Sequence, residues 1–129
     1  MSGRHQQTLS AFNSWEKRQF EYGVADCCQF TSHVVNEIHG VNHMDKFNYS
    51  TESEAYEIIN QYGDLGKAVE SQLGEPTSIE NIQDGDPILF DAPLMDSALG
   101  VKLGKHIIAL SHQRIIRIST KYAVYGWAL

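Results

Sequence analysis

Residues 22–38 read YGVADCCQFTSHVVNEI, and the parsing of that stretch decides how the rest of the chain is arranged. A glycine-containing turn leads to an acidic residue and then to a cysteine at the first turn of an amphipathic helix. Cys27, Phe30, Val34 and Ile38 recur at steps of three or four, which sets them along one helical face. Cys27 therefore belongs both to the helix N-terminus and to the stripe that turns inward. Asp26 is placed to cap this helix, and Gly40, directly after His39, to stop it. The partial positive charge at a helix N-terminus favours a thiolate, so a nucleophilic cysteine would be useful here. The plainer reading is that Cys27 and Cys28 are small buried hydrophobes beneath Phe30.

Upstream, residues 1–8 are polar and read as loose. Ser10 is the expected N-cap of a helix running through Phe12, Trp15, Glu16 and Phe20, ended by Tyr22-Gly23 and anchored by Trp15 and Phe20. Downstream, residues 41–51 have no period and read as a loop. Thr51 with Glu54 forms a capping box for a helix carrying Ala55, Ile58, Ile59 and Tyr62. Gly63-Asp64 breaks it, and a short helix with Leu65, Val69 and Leu73 runs to Gly74, with Pro76 confirming the stop. From residue 84 the pattern changes. Asp84-Gly85-Asp86 is a turn, and Pro87 to Phe90 is a short buried strand with proline at its first position. Residues 98–103, 106–111, 114–119 and 123–129 read as further strands, joined by tight turns at Gly104-Lys105 and His112-Gln113. Helices first and strands afterwards give an α+β fold: one domain over 1–129, helical over about 9–74. An antiparallel meander of four to five strands occupies about 86–129.

Composition bounds the function. The 129 residues carry a net charge of −6, with 42% apolar and 20% charged residues, ordinary values for a globular chain. No basic cluster supports a nucleic-acid groove, and the acidic balance argues against an anionic membrane. The only two cysteines are adjacent and would close a strained eight-membered ring, so no stabilising disulfide is expected. The N-terminus lacks the apolar core of a signal peptide, and no run is long enough to span a membrane. Synthesis and folding in a reducing cytoplasm are expected.

This order of parts, with Asp26-Cys27-Cys28-Gln29-Phe30 and Gly85-Asp86-Pro87-Ile88-Leu89-Phe90, resembles NlpC/P60-type, papain-like proteins. The first motif resembles their nucleophile motif and the second the strand that opens their sheet. Trp15, Arg18, Phe20, Tyr22, Gly23, Asp26, Cys27, Cys28 and Phe30 are similar to the opening W-x-x-R-x-F-x-Y/W-G-x-x-D-C-C-x-F of small phage proteins related to that group. The likeness continues through Tyr49, Glu54-Ala55, Leu99-Gly100-Val101, Gly104 and the C-terminal tryptophan segment. It implies a papain-like fold, a gene among those for a phage tail tip or hub, tail proteins as partners, and a place in the virion tail.

The same resemblance implies a catalytic histidine at the start of the second strand. That position is Ala98, and the family's third, polar position falls at about Ile108, so the triad is reduced to Cys27. An alanine methyl can neither take a proton nor hold an imidazolium beside a thiolate. His112, in the turn after the third strand, is the better substitute base. His106, just past the Gly104-Lys105 turn, is the poorer one, and His33, six residues after Cys27, faces away. Two readings result. In the first the chain is a structural or assembly protein of the tail with a degenerate active site. In the second it is a cysteine amidase or endopeptidase on peptidoglycan stem peptides, with Cys27 as nucleophile. Binding of a cell-wall fragment without cleavage is compatible with the first.

No cofactor or metal is expected. His39, His43 and Asp45 have ligand-like identities, but Gly40 separates the histidines and a polar loop accounts for them. Asp84 and Asp86 read as turn carboxylates. Tyr49, Tyr56, Tyr62, Tyr122, Tyr125 and Trp127 are numerous for so small a chain. Such residues are enriched at interfaces, although Trp127 is expected in the core.

Overall fold

The computed structural model describes residues 3–15, 26–40, 49–91, 97–110 and 115–129. Four helices, α1 (Gly3–Trp15), α2 (Cys27–His39), α3 (Glu52–Tyr62) and α4 (Leu65–Leu73), precede five strands. The strands are β1 (Pro87–Phe90), β2 (Ala98–Leu103), β3 (His106–Leu110), β4 (Ile115–Ser119) and β5 (Ala123–Gly126). All pairings are antiparallel. The α+β expectation holds, with one change in topology. The sheet order is β4-β3-β2-β1-β5, so the last strand returns to the free side of β1 and does not extend a meander. Flanked on both sides, β1 is buried at all four positions, which explains its unbroken apolar run.

Local chemistry sets the helix ends. Asp26 caps α2 by accepting from the Gln29 N–H at 2.8 Å, and Gly40 closes it in the left-handed region with φ 72°. Thr51 accepts from the Glu54 N–H, while Glu54 reaches back to accept from the Thr51 hydroxyl and from the Ser50 N–H one residue before the cap, a capping box shifted by one residue. Asp64 does not merely break the chain: it caps α4 through the Lys67 N–H. The first helix starts earlier than its sequence suggests, because Arg4 to Ser10 are helical and Ser10 lies inside the helix. Thr8 is fully buried there, its hydroxyl donating to the Arg4 carbonyl at 2.7 Å. Phe20 lies outside the described residues, whereas Trp15 is buried and stands edge-on to Phe30 with ring centroids 5.4 Å apart.

The pleat divides the sheet. Leu99, Val101, Leu103, Ile108 and Leu110 turn to the helical side, where Val101 and Leu103 meet Trp15, Phe30 and Val34. Ile88, Phe90, Ala98, Ile107 and Ala109 form a second apolar layer on the other side.

The turn before β1 joins the two halves. Gly85 has φ +85°, and a Cβ there would lie 2.0 Å from Ile38 Cδ1 and 3.0 Å from Thr8 Oγ1, so both conformation and space require glycine. Its neighbours reach α1, α2 and the β2–β3 hairpin. Asp86 is 1% exposed and pairs with the Arg4 guanidinium, and His39 Nε2 lies 3.7 Å away. Asp84 accepts from the Gly104 N–H at 2.8 Å and lies 2.9 Å from His5 Nδ1 and 3.5 Å from Lys102 Nζ. Burial pushes the Asp84 carboxyl up, but the Gly104 N–H, His5 and Lys102 outweigh it and hold the pKa below the ordinary value. A carboxylate lowered by folding contributes stability above its unfolded pKa, and that contribution is lost as pH falls through the folded value. Asp84→Asn is therefore expected to lower stability at pH 7 and to flatten its decline below about pH 4. Urea midpoints measured from pH 7 to pH 3 test this; parallel curves for the two proteins would contradict it.

Candidate functional site

The N-terminus of α2 lies against β2 and the loop residue Tyr49. Asp26, 3% exposed, accepts at one carboxylate oxygen from the Gln29 N–H and at the other from the Tyr49 hydroxyl at 2.7 Å. Burial and the neighbouring Cys28 and Asp26 push the Tyr49 hydroxyl far above its usual pKa, so it stays a proton donor. No spacing in the sequence joins Tyr49 to Asp26, and only the fold brings them together.

The two thiols are half-buried and free, with their sulfurs 4.0 Å apart. Cys27 is held below the ordinary thiol pKa, first by the S–H of Cys28 and then by the Leu99 backbone N–H, against burial and the Asp26 charge. Cys28 is pushed well above it, because it is the donor to Cys27 and is buried beside that charge. Of the two thiols, Cys27 is therefore the first to lose its proton. Cys28→Ala removes the leading cause, so the pKa of Cys27 should rise and its alkylation by iodoacetamide at pH 7 should slow. A rate profile from pH 5 to pH 10, with the modified residue identified by peptide mass, measures the shift. An unmoved profile would assign the thiolate to Leu99 and the helix terminus instead.

Both cysteines pack against Val69, Leu89, Leu99 and Trp127. Beside them, Cys28, Tyr49, Ala55, Ile58, Ile59, Leu65 and Val69 line an apolar cavity of about 40 Å³.

The remaining candidates are dispersed. Ala98 pairs with Phe90, and its methyl packs on the far side of the sheet, so β2 presents Leu99 to the thiol. His106 pairs with Leu103. Four residues of strand separate Leu103 from Leu99, about 13 Å, which puts the exposed His106 beyond reach of Cys27. His112 lies outside the described residues. Ile108 is fully buried with Val101 and Leu110. His33 neighbours Trp15 and Glu37. His39 belongs to the Arg4–Asp86 group, while His43 and Asp45 are outside the described residues. Among the described residues no three His, Cys, Asp or Glu side chains converge as a metal site, and no helix is long and apolar enough to cross a membrane.

Two comparisons extend this geometry. A family profile described as "Domain of unknown function (DUF6950)" matches residues 2–129. The crystal structure of the NlpC/p60 domain of the peptidoglycan hydrolase SagA superposes with a TM-score of 0.62 at 12% identity, covering 97% of this chain and 98% of that one. The helices and the five-stranded sheet are therefore an NlpC/p60-like fold. No curated protein matches the sequence.

Proposed function

The chain belongs to the DUF6950 family, and from that premise and its NlpC/p60-like fold we propose that it is a binding module without hydrolase chemistry. In this reading it is a structural or assembly protein of a phage tail tip or hub, carried in the virion. The tail context rests on the resemblance of the Trp15-to-Phe30 opening to small phage tail-locus proteins. One observation carries the loss of chemistry. Among the described residues, the groups that set the ionisation of Cys27 are Cys28, the Leu99 N–H and Asp26, and none of these is an imidazole. Ala98, where the resemblance places a histidine, turns to the far side of the sheet, and Leu99, which β2 presents to the thiol instead, supplies no proton acceptor.

The lowered pKa of Cys27 favours the competing reading, a cysteine amidase or endopeptidase on peptidoglycan stem peptides. Its causes, however, serve the thiolate only. Cleavage of an amide also needs a proton delivered to the leaving nitrogen, the task of a general acid beside the nucleophile. Thiol reactivity alone therefore does not separate the readings, whereas turnover does. Incubation with host muropeptides, followed by mass spectrometry of the stem peptides, should give no more cleavage than the Cys27→Ala protein. The chain should also be found in purified virions. Cleavage that requires both Cys27 and His112 would establish the hydrolase.

A further inference from the structure

We propose that the outward face of α3, centred on Tyr56 between Glu52 and Glu57, docks an arginine-bearing surface of a partner protein. This rests on the binding-module reading and specifies its partner. The first observation is that α3 contributes no buried residue. Its apolar edge, Ala55, Ile58 and Ile59, is only half-covered, and Tyr56 and Tyr62 are 46% and 40% exposed. An eleven-residue helix is marginal on its own, and this one relies on its capping box and on α4.

Charge identifies the occupant. No Lys, Arg or His occurs between Lys46 and Lys67, whereas Glu52, Glu54, Glu57 and Asp64 fall in that interval. Glu54 is engaged at the N-terminal cap and Asp64 caps α4. Glu52 and Glu57 have no ion-pair partner among the described residues. They line one shallow depression together with Ser53, Tyr56 and Asn60. A tyrosine ring flanked by carboxylates accepts a guanidinium in two ways, across the ring face and through forked N–H donors. Lysine lacks the fork, and a nucleic acid or anionic lipid surface would be repelled. Tyrosine and arginine are also the residues that carry most interface energy.

The direct test is a titration of the isotope-labelled chain with a synthetic Gly-Arg repeat peptide, and separately with its Gly-Lys counterpart, at about 0.15 M salt. Amide shifts should centre on residues 52–60, be larger with arginine, and vanish in Glu52→Lys/Glu57→Lys. Shifts spread evenly over the acidic surface, or equal for the two peptides, would overturn the proposal. Circular dichroism should keep its helical signal, with only a small fall in melting temperature, since both side chains are exposed and the Glu52 reversal opposes the dipole at the first turn of α3. In the phage, Glu52→Lys/Glu57→Lys and Tyr56→Ala should each lower the amount of chain in purified virions about tenfold, the loss of one hot-spot pair. Glu80→Lys, a charge reversal elsewhere on the surface, should not. Wild-type incorporation of the α3 variants would overturn the docking face and leave the tail reading standing. If the wild-type chain is missing from virions, the tail reading falls and the peptide titration decides the docking face alone.

Discussion

Trp127→Ala is expected to lower folding stability by about 3–5 kcal/mol, a large part of the 5–15 kcal/mol typical of a single domain. The indole is 1% exposed and packs with Val69, Leu89 and Leu99, with Tyr125 edge-on at 5.4 Å. Its Nε1–H donates to the Gly74 carbonyl at 2.9 Å, which ties the end of α4 to the residue after β5. Truncation opens a cavity and removes the indole donor from that carbonyl. Trp127→Phe keeps much of the packing and loses the bond, so about 1–3 kcal/mol is expected. Equilibrium urea unfolding of both variants gives the two values. A loss below about 1 kcal/mol for the alanine variant would mean that the site collapses around the missing ring. Since Trp127 and Cys27 share one apolar cluster, the alanine variant should also expose the thiols to faster alkylation.

The next largest effect is expected at Asp86. Removing one member of a buried ion pair strands the other, which costs about 3–5 kcal/mol in the interior. Arg4 is 22% exposed and retains some hydration, so Asp86→Ala should fall near the lower end, about 3 kcal/mol. The Gln83 N–H, 3.0 Å from the carboxylate, loses its acceptor as well. Arg4→Ala leaves the more buried partner with the Gln83 N–H and His39 but without its guanidinium. The double variant should therefore be less destabilised than the sum of the single ones, because neither charge is then stranded. Additive losses in urea unfolding would show that Arg4 and Asp86 act separately.

Much of this arrangement was legible in the residues. Asp26 before an apolar stripe, Gly40 after it, and Thr51 three residues ahead of Glu54 are local signals, each read by groups within one turn. The strand positions followed from apolar runs cut by Gly85, Gly104-Lys105 and polar turns, although the last strand stops at Gly126 and does not run on to Leu129. The early start of α1 was hidden because Thr8, its fully buried residue, is polar and satisfied within the helix. The place of β5 could not be read, since sequence neighbours suggest a meander and only tertiary packing brings residues 123–126 to β1. At the candidate site, the position of Cys27 on the helix was clear. The side of the sheet to which Ala98 turns depends on register, and a one-residue difference in pleat puts Leu99 at the thiol. The Arg4–Asp86 and His5–Asp84 contacts join positions about eighty residues apart, beyond the reach of local pattern.

The strand order has a consequence for the chain as it leaves the ribosome. Both neighbours of β1, residues 98–103 and 123–126, are synthesised after it, and the Trp127 N–H reaches the Pro87 carbonyl across the second of these pairings. Until residue 127 has emerged, the most apolar strand of the sheet keeps one edge open. Open strand edges template pairing with other chains. A premature stop or ribosomal stall between residues 104 and 122 should therefore yield a fragment prone to aggregation, and not a smaller folded domain.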